Sequence, residues 1–138
     1  MKKKILVAVD GSDYSHKAFK HALKEAKKQE SHLTILKVVP NFGYDEKTME
    51  KPLKKEIKKA EELTEEWKEK AEKKGIEADA RVITETDAST GIVKFSKKEN
   101  YDLIIVGSRG KTDLETIQLG SVSEGVVKRA HIPVLIIR

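Results

Sequence analysis

Two segments of the chain carry residues whose types and spacing can do chemistry. In the first, Gly107-Ser108-Arg109-Gly110 is followed after nine residues by Gly120-Ser121-Val122-Ser123. Glycines let backbone N–H groups approach a phosphate closely and point successive amides inward. The second cluster opens a predicted helix, whose free amides and positive dipole end face the same ligand. Ser121 and Ser123 add hydroxyl donors, and Arg109 and Lys111 add charge. The same residues also read as a capping box, with Ser121 as N-cap and Glu124 at N3. The two roles are compatible, because a capped helix start still attracts anions. The second segment, Asp10-Gly11-Ser12-Asp13-Tyr14-Ser15, is turn and N-cap chemistry. Asp10 at its start serves either as a turn-former bonding its own backbone or as a direct ligand contact.

Positioning these loops requires strands and helices in alternation. Residues 5–9 and 103–106 are continuous apolar runs, as in strands covered on both faces. A second strand is expected over 33–39, stopped by Pro40, and a loop over 41–46. Residues 76–83 alternate Ile76, Ala78, Ala80 and Val82 with Glu77, Asp79 and Arg81, which predicts an edge strand with one wet face. The last strand is expected over 132–137. Helices are predicted after Asp13, from Met49 to a C-cap at Gly75, over 88–99 and over 122–130. The long one carries Leu53, Ile57, Ala60, Leu63, Trp67 and Ala71 at threes and fours, the stripe of a helix docked on a sheet. A partner-binding coiled coil is the weaker reading of that stretch.

The order βαβαβαβαβ, with crossovers long enough for parallel strands, predicts an α/β fold in one domain spanning residues 1–138. Placing the apolar strands at the centre and the alternating one at an edge gives an open five-stranded parallel sheet of order 3-2-1-4-5, helices on both faces. Its direction reverses between strands 1 and 4, where ligands of such sheets bind. The two chemically rich loops fall at that reversal.

Composition narrows the partners. The chain has no cysteine, so thiol chemistry, disulfides and cysteine metal sites are excluded. No apolar run is long enough for a membrane span, and residues 5–9 end too soon in Asp10 for a signal peptide. A soluble, cytoplasmic protein is expected. The net charge of +5 comes from lysines and arginines interleaved with 23 acidic residues, a solvated surface rather than a phosphate-reading patch, so no nucleic acid is expected. The four histidines are scattered, and metal binding by them is not expected.

Three familiar nucleotide motifs are absent. Gly110-Lys111-Thr112 resembles the tail of a Walker A loop, but Ile105 stands where that motif needs glycine. No GxGxxG follows the first strand. The turn at Asp10 lacks the paired glycines of a pyrophosphatase-type loop. The spacing Gly107-x2-Gly110-x9-Gly120-Ser121 instead resembles the ATP-binding signature of the universal stress protein family. The likeness extends to Val7-Ala8-Val9-Asp10-Gly11-Ser12, Leu36-Lys37-Val38-Val39, Asp102-Leu103-Ile104-Ile105-Val106-Gly107-Ser108 and Ile132-Pro133-Val134-Leu135-Ile136-Ile137.

That resemblance implies the same strand order, in an adenine nucleotide alpha hydrolase-like fold, and a nucleotide-dependent role in stress response. It places adenine and ribose against Ala8, Val9, Asp10 and Val38 or Val39. It places the phosphates of ATP on Gly107, Arg109, Gly110, Gly120, Ser121, Val122 and Ser123. If Mg²⁺ accompanies the ATP, Asp10 is the residue to contact it. Family members pair through the last strand, so a homodimer through Ile132 to Ile137 is expected. The exposed apolar edge of Val134 to Ile137 independently calls for such cover, and Pro133 protects only its beginning.

Hydrolysis needs a residue to position water and a carboxylate–metal arrangement. Asp10, Asp13 and Asp113 form no paired acid/base constellation at fixed spacing, so a binding, regulatory protein is expected. The alternatives are a slow or partner-stimulated ATP hydrolase and a binder of AMP or a cyclic nucleotide. The loop over 41–51, with Phe42 and Tyr44, is a candidate lid, against an ordinary crossover connection.

Overall fold

The computed structural model describes residues 2–41, 46–109 and 119–138. Elements run in the order β1 (Lys4–Ala8), α1 (Asp13–Gln29), β2 (His32–Pro40), α2 (Glu46–Lys73), β3 (Ala78–Glu85), α3 (Ala88–Lys98), β4 (Leu103–Gly107), α4 (Ser121–Arg129) and β5 (Val134–Ile137). The strands form one five-stranded sheet of order β3-β2-β1-β4-β5, every neighbouring pair parallel. The expected order 3-2-1-4-5 is the observed one.

Alternation along the central strands sends side chains into two cores. Ile5, Val7 and Val9 face α1 and α2, where they meet Phe19, Leu23, Trp67 and Ala71. Leu6, Leu36, Val38, Ile104 and Val106 face α3 and α4, where they meet Ile92, Phe95 and Val126. Phe19 and Trp67 stack with ring centroids 4.8 Å apart, which ties α1 to α2. At the bottom of the second core the Tyr101 hydroxyl donates to Thr34 Oγ1 at 2.7 Å, and both residues are buried.

Several boundaries differ from expectation. Helix α2 starts at Glu46, not Met49, and carries Pro52 within it, so the loop predicted over 41–51 ends by residue 45. Phe42 and Tyr44 lie outside the described residues. Strand β2 includes Pro40, which pairs with Glu85 at the sheet end. Strand β3 starts at Ala78, two residues after Ile76. Gly75 adopts φ +80, and the Ile76 amide returns to the Ala71 carbonyl at 3.1 Å, a Schellman closure that draws Ile76 into the first core. The face of β3 expected to be wet is so only in part, the Arg81 side chain being 42% exposed and 3.9 Å from Glu99. Ile83 shares the face of Asp79 and Arg81 and packs on the second core, and the Arg81 guanidinium lies 5.0 Å from the Phe95 ring centre. Strand β5 starts at Val134, because Pro133 has no N–H to offer the ladder.

Candidate functional site

All five strands end at the same side of the sheet, and the starts of α1, α3 and α4 gather there. Between β1 and β4 the sequence order reverses, and a cavity opens beside that line. Its apolar wall comes from Ala8, Val9, Val38, Ile92, Val106 and Val122, and its polar side from Asp10, Ser15, Lys37, Arg109 and Ser123. Gly107 and Ala88 complete it. The enclosed space is about 70 Å³, small beside the roughly 300–1,000 Å³ of sites that swallow a whole ligand.

The Asp10 loop is held by its own polar groups. The Ser12 amide donates to Asp10 Oδ1 at 2.9 Å, an Asx turn. The Ser15 hydroxyl donates to the Ser12 carbonyl at 3.1 Å and accepts from the Asp10 amide at 3.3 Å. Ser12 in turn caps α1, its hydroxyl accepting from the Ser15 amide at 3.2 Å. The turn-forming role of Asp10 is therefore present, and Asp10 also lines the cavity.

Across the cavity the chain is packed to its limit. A Cβ on Gly107 would lie 2.8 Å from the Tyr14 carbonyl oxygen, so β4 and the start of α1 meet backbone to backbone. The Gly120 amide donates to the Ser108 carbonyl at 2.8 Å, and the Ser123 hydroxyl donates to the same carbonyl at 2.9 Å. These two bonds set the start of α4 against the end of β4. Arg109 is buried, 8% exposed, in the cavity wall.

The capping-box expectation fails here. The N-cap of α4 is Gly120, with no side-chain hydrogen bond, and Ser121 is the first helical residue. Ser121 cannot cap because the Gly120–Ser108 bond fixes the extended residue one position earlier. By contrast Ser12 caps α1 and Asp87 caps α3, the latter accepting from the Thr90 amide at 2.9 Å. The amides that open α4 have neither an intrahelical acceptor nor a side-chain cap from Gly120. A helix start of this kind can receive an external anion.

Of the expected site residues, Ala8, Val9, Asp10, Val38, Gly107, Arg109, Val122 and Ser123 line the cavity. Val39 is buried elsewhere, since alternation along β2 turns it to the opposite face from Val38. Gly120 and Ser121 stand at the helix start without lining the cavity. Gly110, Lys111 and Asp113 lie outside the described residues. Sequence reasoning missed Ser15, Lys37, Ala88, Ile92 and Val106 as lining residues. Ala88 and Ile92 share one face of α3 by their i, i+4 spacing, a signal legible in the sequence. Among the described residues no three His, Asp or Glu side chains gather as a metal-ligand cluster. No described helix is long and apolar enough to cross a membrane.

Comparison with known proteins places this geometry among relatives. A family model, the Universal stress protein family, matches residues 1–138. A universal stress protein of Methanocaldococcus jannaschii is 36% identical over 140 residues, which cover 99% of this chain and 82% of that protein. The solved structure of universal stress protein UspA from Lactobacillus plantarum superposes with a TM-score of 0.89 at 25% identity, covering 99% of this chain and 97% of that one. The universal stress protein from Archaeoglobus fulgidus in complex with dAMP gives 0.72 at 24% identity, covering 99% and 98%. A universal stress protein in complex with cAMP gives 0.71 at 23% identity, covering 99% and 97%.

Proposed function

The chain belongs to the universal stress protein family, and on that footing we propose that it binds an adenine nucleotide, ATP foremost, as a regulatory ligand. The observation that carries this reading is the uncapped start of α4 facing a cavity whose other wall is apolar. A nucleotide has that duality, an apolar base at one end and an anion at the other. The base and ribose lie against Ala8, Val9, Asp10 and Val38. The phosphates lie over Gly107, Arg109 and Gly110 and on the amides of Ser121, Val122 and Ser123, beside Gly120. The enclosed space is too small for the whole molecule, so the phosphates run out across the loops. Two relatives of the same fold, in complex with dAMP and cAMP, support the adenine end of this assignment.

ATP adds what a monophosphate lacks, a chain of negative charge long enough to reach both Arg109 and the α4 amides. Mg²⁺ is commonly held by one or two carboxylates together with substrate phosphates, and Asp10 is the carboxylate in place for it. The ion would supply charge neutralisation between phosphate oxygens. Asp10 already accepts the Ser12 amide, which holds its side chain in register for that contact, and among the described residues no second carboxylate lines the cavity to activate water. We therefore assign the site to binding rather than rapid turnover.

The test is calorimetric titration of ATP, AMP and cAMP into native chain and Gly120→Val. Gly120 has φ −70 and ψ 165, a conformation valine adopts readily, so the substitution places bulk at the helix start without a backbone penalty. ATP is expected to bind native chain more tightly than AMP or cAMP, and the variant is expected to lose ATP while keeping its fold. Equal ATP affinity in the variant would remove α4 from the site. Phosphate release faster than about one per second, within ordinary enzyme turnover, would make the protein a hydrolase.

A further inference from the structure

A second concave feature lies on the α1/α2 face of the sheet, outside the site described above. It measures about 730 Å³ and runs between α1 and the C-terminal end of α2. Its floor is formed by Phe19, Leu23 and Ile76 of the first core. Around it stand six lysines: Lys20, Lys24 and Lys27 from α1, with Lys70, Lys73 and Lys74 from the end of α2. Their hydrocarbon stems cover the floor and their ammonium groups reach solvent.

This arrangement is relieved only in part. Lys20 and Lys24 are spaced i, i+4 on α1, where like charges destabilise a helix. Lys70 has a distant partner in Glu66 at 3.7 Å, and Lys27 donates to the Lys74 carbonyl at 3.1 Å. Among the described residues, no carboxylate pairs with Lys20, Lys24, Lys73 or Lys74.

The complementary defect sits on the same helix, immediately before the lysines. Glu61, Glu62, Glu65, Glu66 and Glu69 line a shallow exposed depression with Lys58 as its one cation. Glu61 and Glu65, Glu62 and Glu66, and Glu65 and Glu69 are again like charges at i, i+4. Only Glu65 and Glu66 of the five find lysines among the described residues, at 3.6 and 3.7 Å. Each patch repels itself, and each would be relieved by the other.

We propose that this face is a self-association surface, in which a second copy of the chain lays the glutamate stretch of its α2 over the lysine-rimmed groove. Because the glutamates precede the lysines along α2, two copies with these helices antiparallel both give and receive the contact. Such a contact is isologous, the two copies being related by a two-fold axis. Exposed charges dominate the contact, so it is weak and screened by salt. It is separate from the β5 edge, whose backbone and apolar pairing does not weaken with salt.

Sedimentation equilibrium on the full chain tests this, together with two charge-reversed variants. One is Lys20→Glu with Lys24→Glu and Lys73→Glu; the other is Glu61→Lys with Glu62→Lys and Glu69→Lys. Self-association of native chain through this face is expected to fall roughly tenfold between about 50 mM and about 500 mM salt, as the Debye length shortens severalfold. Each variant alone is expected to associate at least about tenfold more weakly than native chain, while an equimolar mixture of the two associates again. A misfolded variant could not produce that rescue. A control with Lys97→Glu, Lys98→Glu and Lys128→Glu on the opposite face carries the same net charge and is expected not to pair with the glutamate-reversed chain. Equal pairing by this control, no recovery in the mixture, or association indifferent to salt would each overturn the proposal. So would binding of poly-glutamate by a native chain that shows no salt-sensitive association, which would assign the groove to an acidic partner of another kind.

Discussion

At Gly107 there is no room for a methyl group, because the Tyr14 carbonyl oxygen would lie 2.8 Å from it. The nearest atoms are the Tyr14 carbonyl and Cβ, not a flexible side-chain tip, so relief requires β4 and α1 to separate. Gly107→Ala is expected to cost about 1–3 kcal/mol, the range for overpacking a tight site, read from the urea midpoint. It is also expected to weaken ATP binding about tenfold or more, a change of about 1.4 kcal/mol, because the residue borders the cavity. At the other end of the sheet, Tyr101→Phe removes the donor to buried Thr34 Oγ1. Its expected cost is about 1–3 kcal/mol for an orphaned buried polar group, with ATP affinity unchanged. Burial raises the Tyr101 phenol above its usual range, against the opposing hydrogen bond to Thr34. The folded state therefore favours the neutral phenol, a contribution complete below about pH 10 and lost as pH climbs towards the raised value. Alkaline unfolding of native chain, but not of Tyr101→Phe, is expected to show that loss.

Among the elements, α3 shows how a helix start is placed. Asp87 accepts from the Thr90 amide at 2.9 Å and from the Ser89 hydroxyl at 3.0 Å. Holding that cap sets Ala88 and Ile92 against the cavity. Asp87→Ala is expected to cost about 1 kcal/mol, the usual worth of such a cap, measured by denaturant unfolding near neutral pH. The Thr90 amide, followed by the Thr90 and Ser89 hydroxyls, holds the Asp87 carboxyl below its ordinary range despite the cost of desolvation. A depressed carboxyl stabilises the folded state above the ordinary value near pH 3.9. That contribution disappears as pH falls through the lower folded value. The difference between native chain and Asp87→Ala is therefore expected to vanish in acid; a constant difference would mean packing, not the charged cap, supplies the effect. Helix α4 takes the opposite course: its N-cap is Gly120, with no side-chain cap bond, and the proposed phosphate site rests on that start.

For the whole molecule, β5 stands at one edge of the sheet with Val134, Leu135, Ile136 and Ile137 only half buried. Among the described residues no strand pairs with the outer side of β5, which sets its backbone groups beside an apolar run, a surface that invites another strand. We propose a homodimer through β5. Leu135→Lys with Ile137→Lys is expected to yield monomers by sedimentation in high salt, where the α1/α2 contact is also screened. Native chain that is monomeric at micromolar concentration in high salt would rule the β5 pairing out.

The sheet order was legible in the sequence because it rests on local composition. Apolar runs at β1 and β4 can only be central, and short parallel strands joined by helices leave few arrangements. The glycine spacing that marks one side of the site is equally local, since a backbone approach needs glycine wherever it occurs. What crossed the fold was not legible. Residues 76–83 alternate in sequence, yet Ile83 and the Arg81–Phe95 contact cover part of the face that looked wet, while the Arg81 side chain stays half exposed. Ser121 has the pattern of an N-cap, yet the bond from the Gly120 amide to the Ser108 carbonyl moves the helix start. Ser15, Ala88 and Ile92 join the cavity only because three helix starts converge at one sheet end. Local pattern determines which residues can form a strand, a turn or a cap; packing between distant segments decides which of them do, and which donors are left for a ligand.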